Sequence, residues 1–398
     1  MNALQMQPWA MKYAPAALQE KLKGAVSLVL TKSVNPKYVG TTAMDWLRAQ
    51  VLMGRAAYVF ADKNLQASAK AVLTTTMVEL QRNPSVYGET VEKWSNGDLL
   101  NVWLLQVSAN PGEAMTSSLY QQLTGPRLVH AGNMAQLTGS PSYGAWYSDE
   151  TIETSMLLFG HSKLKQDKNL ARSLAVGLVN ASQKAWYNVG TLHAVSESLK
   201  AFKSAYESED VTGVATVQIP EQQKTGSVQW DKTDIAELSS PWTTNQATVQ
   251  VTQAGQGQPW VGVQALTAIP LTESRHQGVT VDKVVKNLTR ESGFQAGDLI
   301  EVTLNINSTG DLRHMAMNDP IPAGANIVAD AYGNYSSGQK SYSGYKFYFE
   351  GLANGLTTVK FQYQLNNPGV FKLPPTHLTG LYMPSIYSQT PNATVTVK

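Results

Sequence analysis

The chain lacks cysteine, carries little charge and has no long apolar run, and each absence narrows what it can do. Its 398 residues include no cysteine, which excludes disulfides, cysteine-ligated zinc and thiol catalysis. Avoidance of cysteine is compatible with an oxidising compartment. Charged residues make up 15% and the formal net charge is +2, which gives no electrostatic basis for nucleic acid or an acidic membrane surface as a partner.

The sequence also lacks a leader and a membrane span. No run of about 18 apolar residues occurs, so no transmembrane helix is predicted. Residues 1–22 have neither the basic n-region nor the continuous apolar h-region of a signal peptide. The chain starts abruptly with an amphipathic pattern, and we therefore expect a fragment whose leader lies upstream.

The first half of the chain has the periodicity of amphipathic helices. Seven segments place apolar residues at i, i+3, i+4 and i+7, with turn signals such as Asn110-Pro111-Gly112 between them. The segments are residues 16–30, 43–60, 65–81, 97–109, 149–164, 169–182 and 188–206. Helices of similar length with short connections predict a solenoid or a closed α/α toroid, and their broad apolar faces favour the toroid.

The period changes to two near residue 211, which indicates half-buried strands. Strands are predicted within residues 211–220, 225–234, 247–255, 259–270, 279–288, 298–307, 345–352, 357–366, 369–375 and 393–398. Turn residues recur roughly every 8 to 15 positions, which is typical of an antiparallel sandwich. A boundary near residues 271–280 divides this β region in two.

No pattern of a catalytic or cofactor-binding class stands out. The six histidines show no zinc spacing, and no nucleophile elbow, Walker loop or dinucleotide fingerprint is present. The best acidic cluster is Asp149, Glu150 and Glu153, which would suit glycan hydrolysis. Acidic residues in a first helical turn, after Ser148 as N-cap, more simply complement the helix dipole. We predict no catalytic, cofactor-binding or metal-ligating residue.

Tyrosines crowd a stretch rich in glycine and serine. They are Tyr332, Tyr335, Tyr342, Tyr345 and Tyr348. Strand alternation predicts that Tyr345 and Phe347 face one side, while Lys346 and Tyr348 face the other. The earlier tyrosines are predicted on a loop, where aromatic side chains can anchor a partner domain.

Four phrases follow one another in the last hundred residues. They are residues 296–307, Asn318-Asp319-Pro320-Ile321-Pro322-Ala323-Gly324, Tyr363 to Pro375, and Leu381-Tyr382-Met383-Pro384. In order and spacing this segment resembles the terminal macroglobulin-like domain of the bacterial α2-macroglobulins. It departs from the family pattern at Asn366, where alanine is common, and at Leu381, where methionine is common.

Upstream, the phrases WLRAQVL, GRAAYVFA and AWYNVGTLHAVSESLKAF are similar to later helices of the α/α toroid that carries the thioester in this family. The resemblance implies a multidomain α and β chain, with an α/α toroid of helical hairpins followed by antiparallel β-sandwich domains. The expected domains are an incomplete toroid at 1–208, a CUB-like β region at 209–275 and a macroglobulin-like sandwich at 276–398.

The family's reactive cysteine and glutamine motif is not found. Either the chain starts after that motif or it belongs to a subgroup without a thioester, and the small number of helices favours truncation.

The resemblance implies a periplasmic or cell-envelope endopeptidase inhibitor that is not an enzyme. A protease cuts a bait region, the inhibitor rearranges, and the protease is held away from large substrates. Partners would be host or foreign endopeptidases, met through the intact protein, together with inner-membrane or peptidoglycan-associated proteins. No cofactor and no nucleic acid are expected. By their place in the family pattern, Tyr382, Tyr387 and the stretch with Tyr342, Tyr345 and Tyr348 are the candidate interdomain contacts.

Two other functions fit parts of the pattern. An α/α toroid beside a β-sandwich also occurs in polysaccharide lyases and glycoside hydrolases, and Asp149, Glu150 and Glu153 are the residues that would serve there. A surface adhesin built of β-sandwich repeats is the third interpretation, but it leaves the helical half unexplained.

Overall fold

A computed structural model describes most of the chain. The described residues are 15–32, 43–82, 94–125, 127–138, 150–182, 189–233, 235, 237–241, 248–263, 270–381 and 383–398. They divide into two compact units, one formed by Met1–Leu199 with Pro270–Lys398 and the other by Lys200–Ile269.

The described residues form eight α-helices in the first half. They are α1 (Ala16–Thr31), α2 (Ala43–Val59), α3 (Lys63–Arg82), α4 (Asn96–Ala109), α5 (Ser118–Thr124), α6 (Glu150–Leu164), α7 (Lys168–Ser182) and α8 (Val189–Tyr206). The seven helices predicted from periodicity are all present. The short α5 was not predicted, because seven residues are too few to show the period.

Helix α4 is the centre of the helical region. Ser95 and Asp98 form a capping box at its start, each side chain accepting from the other's backbone N–H. Leu99, Leu100 and Trp103 are almost fully buried, as is most of the helix around its circumference. A helix that is apolar all round has to be surrounded, and α2, α3, α5 and α6 pack on it.

A β-hairpin interrupts the helices where only helices and loops were expected. It consists of β1 (Leu128–Ala131) and β2 (Met134–Leu137), paired from Leu128 with Leu137 to Ala131 with Met134. Gly132 in the turn has φ of +63°, a conformation that glycine adopts at little cost.

The unit of residues 200–269 contains a three-stranded antiparallel sheet. Its strands are β3 (Val214–Ile219), β4 (Lys224–Gln229) and β5 (Gln250–Ala254), in the order β4-β3-β5. Three of the four strands predicted for this region are confirmed. The prediction for residues 259–270 is wrong in its described part, because residues 259–263 form no strand, and residues 264–269 lie outside the described residues.

The C-terminal region is a sandwich of two antiparallel sheets. The first, sheet D, runs β10-β14-β8-β7 with β11 also on β14, and the second, sheet C, runs β12-β13-β9-β16-β17-β6. Their strands are β6 (Arg275–Gln277), β7 (Val279–Asn287), β8 (Leu299–Ser308), β9 (Leu312–Pro320), β10 (Asn326–Ile327), β11 (Tyr332–Gly333), β12 (Ser337–Ser341), β13 (Gly344–Leu352), β14 (Gly355–Gln364), β16 (His377–Gly380) and β17 (Tyr387–Gln389). Strands β15 (Gly369–Leu373) and β18 (Ala393–Val397) pair separately.

The core of the sandwich lies between the two sheets. Phe347 and Phe361 are fully buried, with ring centroids 6.1 Å apart, and Val302 and Leu304 of β8 are equally buried. Gly278, between β6 and β7, has φ of +75° and is the corner at which the chain passes from sheet C to sheet D. The expected fold class, a helical region with antiparallel sandwich structure, is therefore confirmed.

Candidate functional site

The hairpin β1–β2 is held to the helical region by a buried ion pair. Arg127 lies just before β1 and contacts Glu153 of α6, with side chains that are 5% and 1% exposed. Arg127 Nε donates to the carbonyl of Thr138 at 2.9 Å. Because both charges are removed from water, the pair and its hydrogen bond fix the base of the hairpin against α6.

Two further contacts fix the second strand. Leu137 N–H donates to Thr154 Oγ1 of α6 at 3.0 Å. Helix α7 approaches β2 so closely that a Cβ on Gly177 would lie 2.4 Å from the carbonyl oxygen of Ala135. Only glycine allows this approach of helix and strand. The hairpin is therefore packed firmly on α6 and α7 and forms part of the helical region.

The other face of the hairpin completes the core of the sandwich. Val129 and Ala131 are 2% and 4% exposed and belong to the same apolar cluster as Met383 and Ile386 of the C-terminal region. A Cβ on Gly278 would lie 3.3 Å from side-chain atoms of both Val129 and Ile386. The hairpin thus fills the corner where the two sheets meet, and Thr138 Oγ1 also contacts the carbonyl of Asp311.

One amide side chain joins the hairpin turn to the C-terminal segment. With the Gln277 amide oriented to satisfy both neighbours, its oxygen accepts from Gly132 N–H at 2.7 Å. Its nitrogen donates to the carbonyl of Ser385 at 2.8 Å. We call the hairpin, Gln277 and residues 383–386 the hairpin interface.

A cleft runs along this interface. Met134, Ala135, Gly177 and Asn180 line one side, and residues 383–386 line the other. The lining is largely apolar, with the Asn180 amide donating to Met134 Sδ at 3.0 Å.

Two of the five tyrosines predicted as interdomain contacts share one face of sheet C. Tyr348 pairs with Ala316, Ala316 with Thr379, and Thr379 with Tyr387. Paired residues in an antiparallel sheet point to the same side, and the inner positions beside them, such as Phe347, are buried. Tyr348 and Tyr387 therefore lie in one row on the outer face, which ends at Gln277.

The other three tyrosines are placed differently. Tyr345 is 2% exposed and stacks on Phe347 with centroids 4.5 Å apart, so it belongs to the core of the sandwich. Tyr342 lies in the turn between β12 and β13 and is 91% exposed. Tyr382 lies outside the described residues, directly before Met383 of the hairpin interface.

The acidic-proline phrase contains a buried carboxylate. Asp319 is fully buried at the end of β9, and its Oδ1 accepts from Lys283 Nζ at 2.8 Å and from the Thr376 hydroxyl. Burial and the nearby Asp319 charge raise the pKa of Tyr363 above its ordinary value of 10.0. These contacts join the end of β9 in sheet C to β7 of sheet D through Lys283 and to Thr376 just before β16, which is a structural role.

The acidic cluster does not form a catalytic pair within the described residues. Glu153 is engaged with Arg127 in the interior, Glu150 is only partly buried, and Asp149 and Ser148 lie outside the described residues. The residues that the structure describes contain no group of three His, Cys, Asp or Glu side chains able to hold a metal ion. They also contain no helix long and apolar enough to cross a membrane.

The most enclosed histidine has a structural environment. His161 Nε2 lies 3.0 Å from the Tyr120 hydroxyl, and both rings lie beside Trp103. Burial lowers the pKa of His161 and raises that of Tyr120 to about 12, so both groups are neutral near pH 7.

Comparison with known proteins places the C-terminal region. Residues 273–385 match the family model described as the bacterial alpha-2-macroglobulin MG10 domain. No curated protein sequence matches the chain.

Several solved structures resemble it weakly. Trypsin-activated alpha-2-macroglobulin from Escherichia coli is 10% identical with a TM-score of 0.38, and 98% of this chain aligns with 27% of that one. The E. coli protein activated by porcine elastase is 10% identical with a TM-score of 0.35, and 98% of this chain aligns with 35% of that one. Salmonella alpha-2-macroglobulin reacted with methylamine is 12% identical with a TM-score of 0.33, and 98% of this chain aligns with 26% of that one. The chain thus spans between a quarter and about a third of the length of these structures.

The matched residues include strands β6 to β16, Gln277 and residues 383–385 of the hairpin interface. The match to the family model thus identifies residues 273–385 as a bacterial alpha-2-macroglobulin MG10 domain.

Proposed function

We propose that the chain is the C-terminal part of a bacterial alpha-2-macroglobulin-like endopeptidase inhibitor. The match of residues 273–385 to the MG10 domain carries the proposal. In this proposal a protease cuts a bait region elsewhere in the intact protein, the domains rearrange, and the protease is held away from large substrates. The chain itself performs no catalysis and works in the periplasm or cell envelope.

The hairpin interface gives this proposal a physical basis. A switch of this kind needs a contact that is stable before cleavage and can be lost afterwards. The apolar side chains of Val129 and Ala131, buried in the sandwich, stabilise the contact before cleavage. The Gln277 bridge consists of uncharged hydrogen bonds, which can be exchanged for hydrogen bonds to water when the contact is lost. We propose Tyr382, Tyr387, Tyr342 and Tyr348 as further contacts of the rearranging domains, with Tyr345 acting through the core that supports β13.

The test is a trapping assay on the intact protein. Trypsin and elastase are suitable probes, because solved bacterial alpha-2-macroglobulins have been activated by trypsin and by porcine elastase. After the reaction, trypsin should still cleave a small chromogenic peptide while its hydrolysis of casein falls at least tenfold. Trypsin that keeps full activity on casein while the protein is degraded would rule the proposal out.

The 398-residue chain alone is the matched control. We expect it to leave casein hydrolysis unchanged, because the bait region is expected upstream. Potent inhibition by the chain alone would show that the inhibitory element lies within these residues.

A further inference from the structure

Gln277 occupies an unusual position among the contacts of the hairpin interface. Its amide is the described hydrogen-bonding group that touches both the hairpin turn, at Gly132 N–H, and the C-terminal segment, at the carbonyl of Ser385. The two partners are backbone groups 253 positions apart in the sequence. A side chain that satisfies two backbone groups at once makes each depend on the position of the other.

The segment after β16 is closed on itself and anchored at the same place. Ile386 N–H donates to the carbonyl of Met383 at 2.9 Å, and Gly380 N–H donates to the carbonyl of Ile386 at 3.0 Å. The side chains of Met383 and Ile386 are 6% and 2% exposed and lie in the cluster that contains Val129. The segment therefore has few independent ways to move while the hairpin is in place.

We propose that Gln277 is a coupling residue, which makes the conformation of residues 380–386 depend on the seating of the hairpin. Displacement of the helical region and opening of the segment around Met383 and Ile386 then form one event. As a mechanism of regulation this rests on the proposed function, since the displacement it transmits is the rearrangement after bait cleavage. The coupling itself is a property of the chain alone.

Hydrogen–deuterium exchange of the full 398-residue chain tests the coupling without any protease. The hairpin is loosened from the side of α6 by Thr154→Val, which removes the acceptor of Leu137 N–H. Gly177→Ala, which presses on the carbonyl of Ala135, is the second perturbation. Each should make exchange about tenfold faster in both the hairpin and residues 380–386.

The same perturbations are then repeated in a Gln277→Ala background. There the hairpin should still exchange faster, but the added effect on residues 380–386 should shrink severalfold, because the connecting amide is gone and only the apolar packing of Val129 with Met383 and Ile386 remains. Gln277→Met, which keeps the length of the side chain, replaces Gln277→Ala if circular dichroism shows that the alanine variant is unfolded. Gln389→Ala is the matched control, since Gln389 lies on the same outer face of sheet C and pairs with Arg275 through its backbone.

The outcomes separate the coupling from the protease trap. Faster exchange in the hairpin with no change at 380–386, or an effect on 380–386 that is undiminished without Gln277, overturns the proposal. Either result leaves the trapping assay unaffected. A failed trapping assay with intact coupling would instead contradict the proposed inhibitor function and leave the coupling by Gln277 supported.

Discussion

At the scale of single residues, the pair Arg127–Glu153 decides whether the hairpin has a fixed base. Both side chains are buried, so removing one leaves an uncompensated charge in the interior. We expect Glu153→Gln to lower the free energy of unfolding of the helical region by about 3 kcal/mol. Urea unfolding followed by circular dichroism at 222 nm measures this loss.

The double variant Arg127→Met/Glu153→Leu is the control for that measurement. It replaces the pair by apolar side chains and should recover most of the loss. Cleavage of a polysaccharide at a rate that Glu150→Gln abolishes would instead support the lyase or glycoside hydrolase interpretation.

Asp298 gives the sandwich a predictable pH dependence. Arg290 donates to both of its oxygens, at 2.6 and 2.7 Å, and Asn287 and the backbone of Gln295 donate as well. These bonds hold the pKa of Asp298 well below its usual 3.8. A lowered folded-state pKa stabilises the folded chain above the pKa of the unfolded chain, and this stabilisation is lost as the pH falls through the folded-state value.

The prediction compares the urea midpoints of the wild type and Asp298→Asn. Their difference should be largest near pH 7 and should shrink as the pH falls below about 3.8. Asp282→Asn, at an exposed position on β7, should show little difference at either pH. A difference for Asp298→Asn that stays constant with pH would show that the carboxylate is not held ionised by these contacts.

At the scale of elements, a substitution in the hairpin can be tested by its effect on strands of the sandwich. Val129→Ala removes side-chain volume from the sandwich corner at Gly278. We expect this to destabilise the sandwich by about 2 kcal/mol, measured by exchange in β7 and β17. Val78→Ala on α3, where the side chain is 42% exposed, should leave exchange in those strands unchanged.

The contact of α7 with β2 allows a comparison between two glycines. Gly177→Ala should lower stability, because its Cβ would lie 2.4 Å from a backbone oxygen. Gly24→Ala in α1 should raise stability by about 1 kcal/mol, since nothing lies within 4 Å and alanine favours the helix. Equal effects of the two substitutions on urea unfolding would contradict the close packing of α7 on the hairpin.

Sequence periodicity predicted the elements that are long and regularly patterned. Examples are helices α4 and α6 and strands β8, β13 and β14. Each is nine or more residues long and buries one face or most of its surface, and each was predicted. Alternation also placed Tyr345 and Tyr348 on opposite faces of β13, as observed.

Strands β1, β2 and β9 and the Gln277 bridge were missed for physical reasons. Strands β1 and β2 are four residues each and lie among helices, so only the Gly132-Asn133 turn signal could have revealed them. Strand β9 carries its core side chains as Met315 and Met317, which are poor strand indicators, and it contains the Asp319-Pro320 phrase that suggests a loop. The Gln277 bridge depends on long-range contacts that no local pattern encodes.

At the scale of the whole molecule, the helical region and the MG10 domain share one apolar cluster. Cores of separate domains are normally independent, whereas here Val129 and Ala131 lie in the core of the sandwich. Movement of the helical region away from the MG10 domain therefore requires that this corner be exposed to water. In the proposed function, this shared core is the contact that opens after cleavage.

The most direct test follows the hairpin interface in the intact protein before and after cleavage by trypsin. Hydrogen exchange is measured at residues 128–137 and 380–386 in both states. We predict that both segments lose protection together, at least tenfold, in the same samples that shield trypsin from casein. Unchanged protection at both segments while trypsin is trapped would contradict the claim that this interface is the one released.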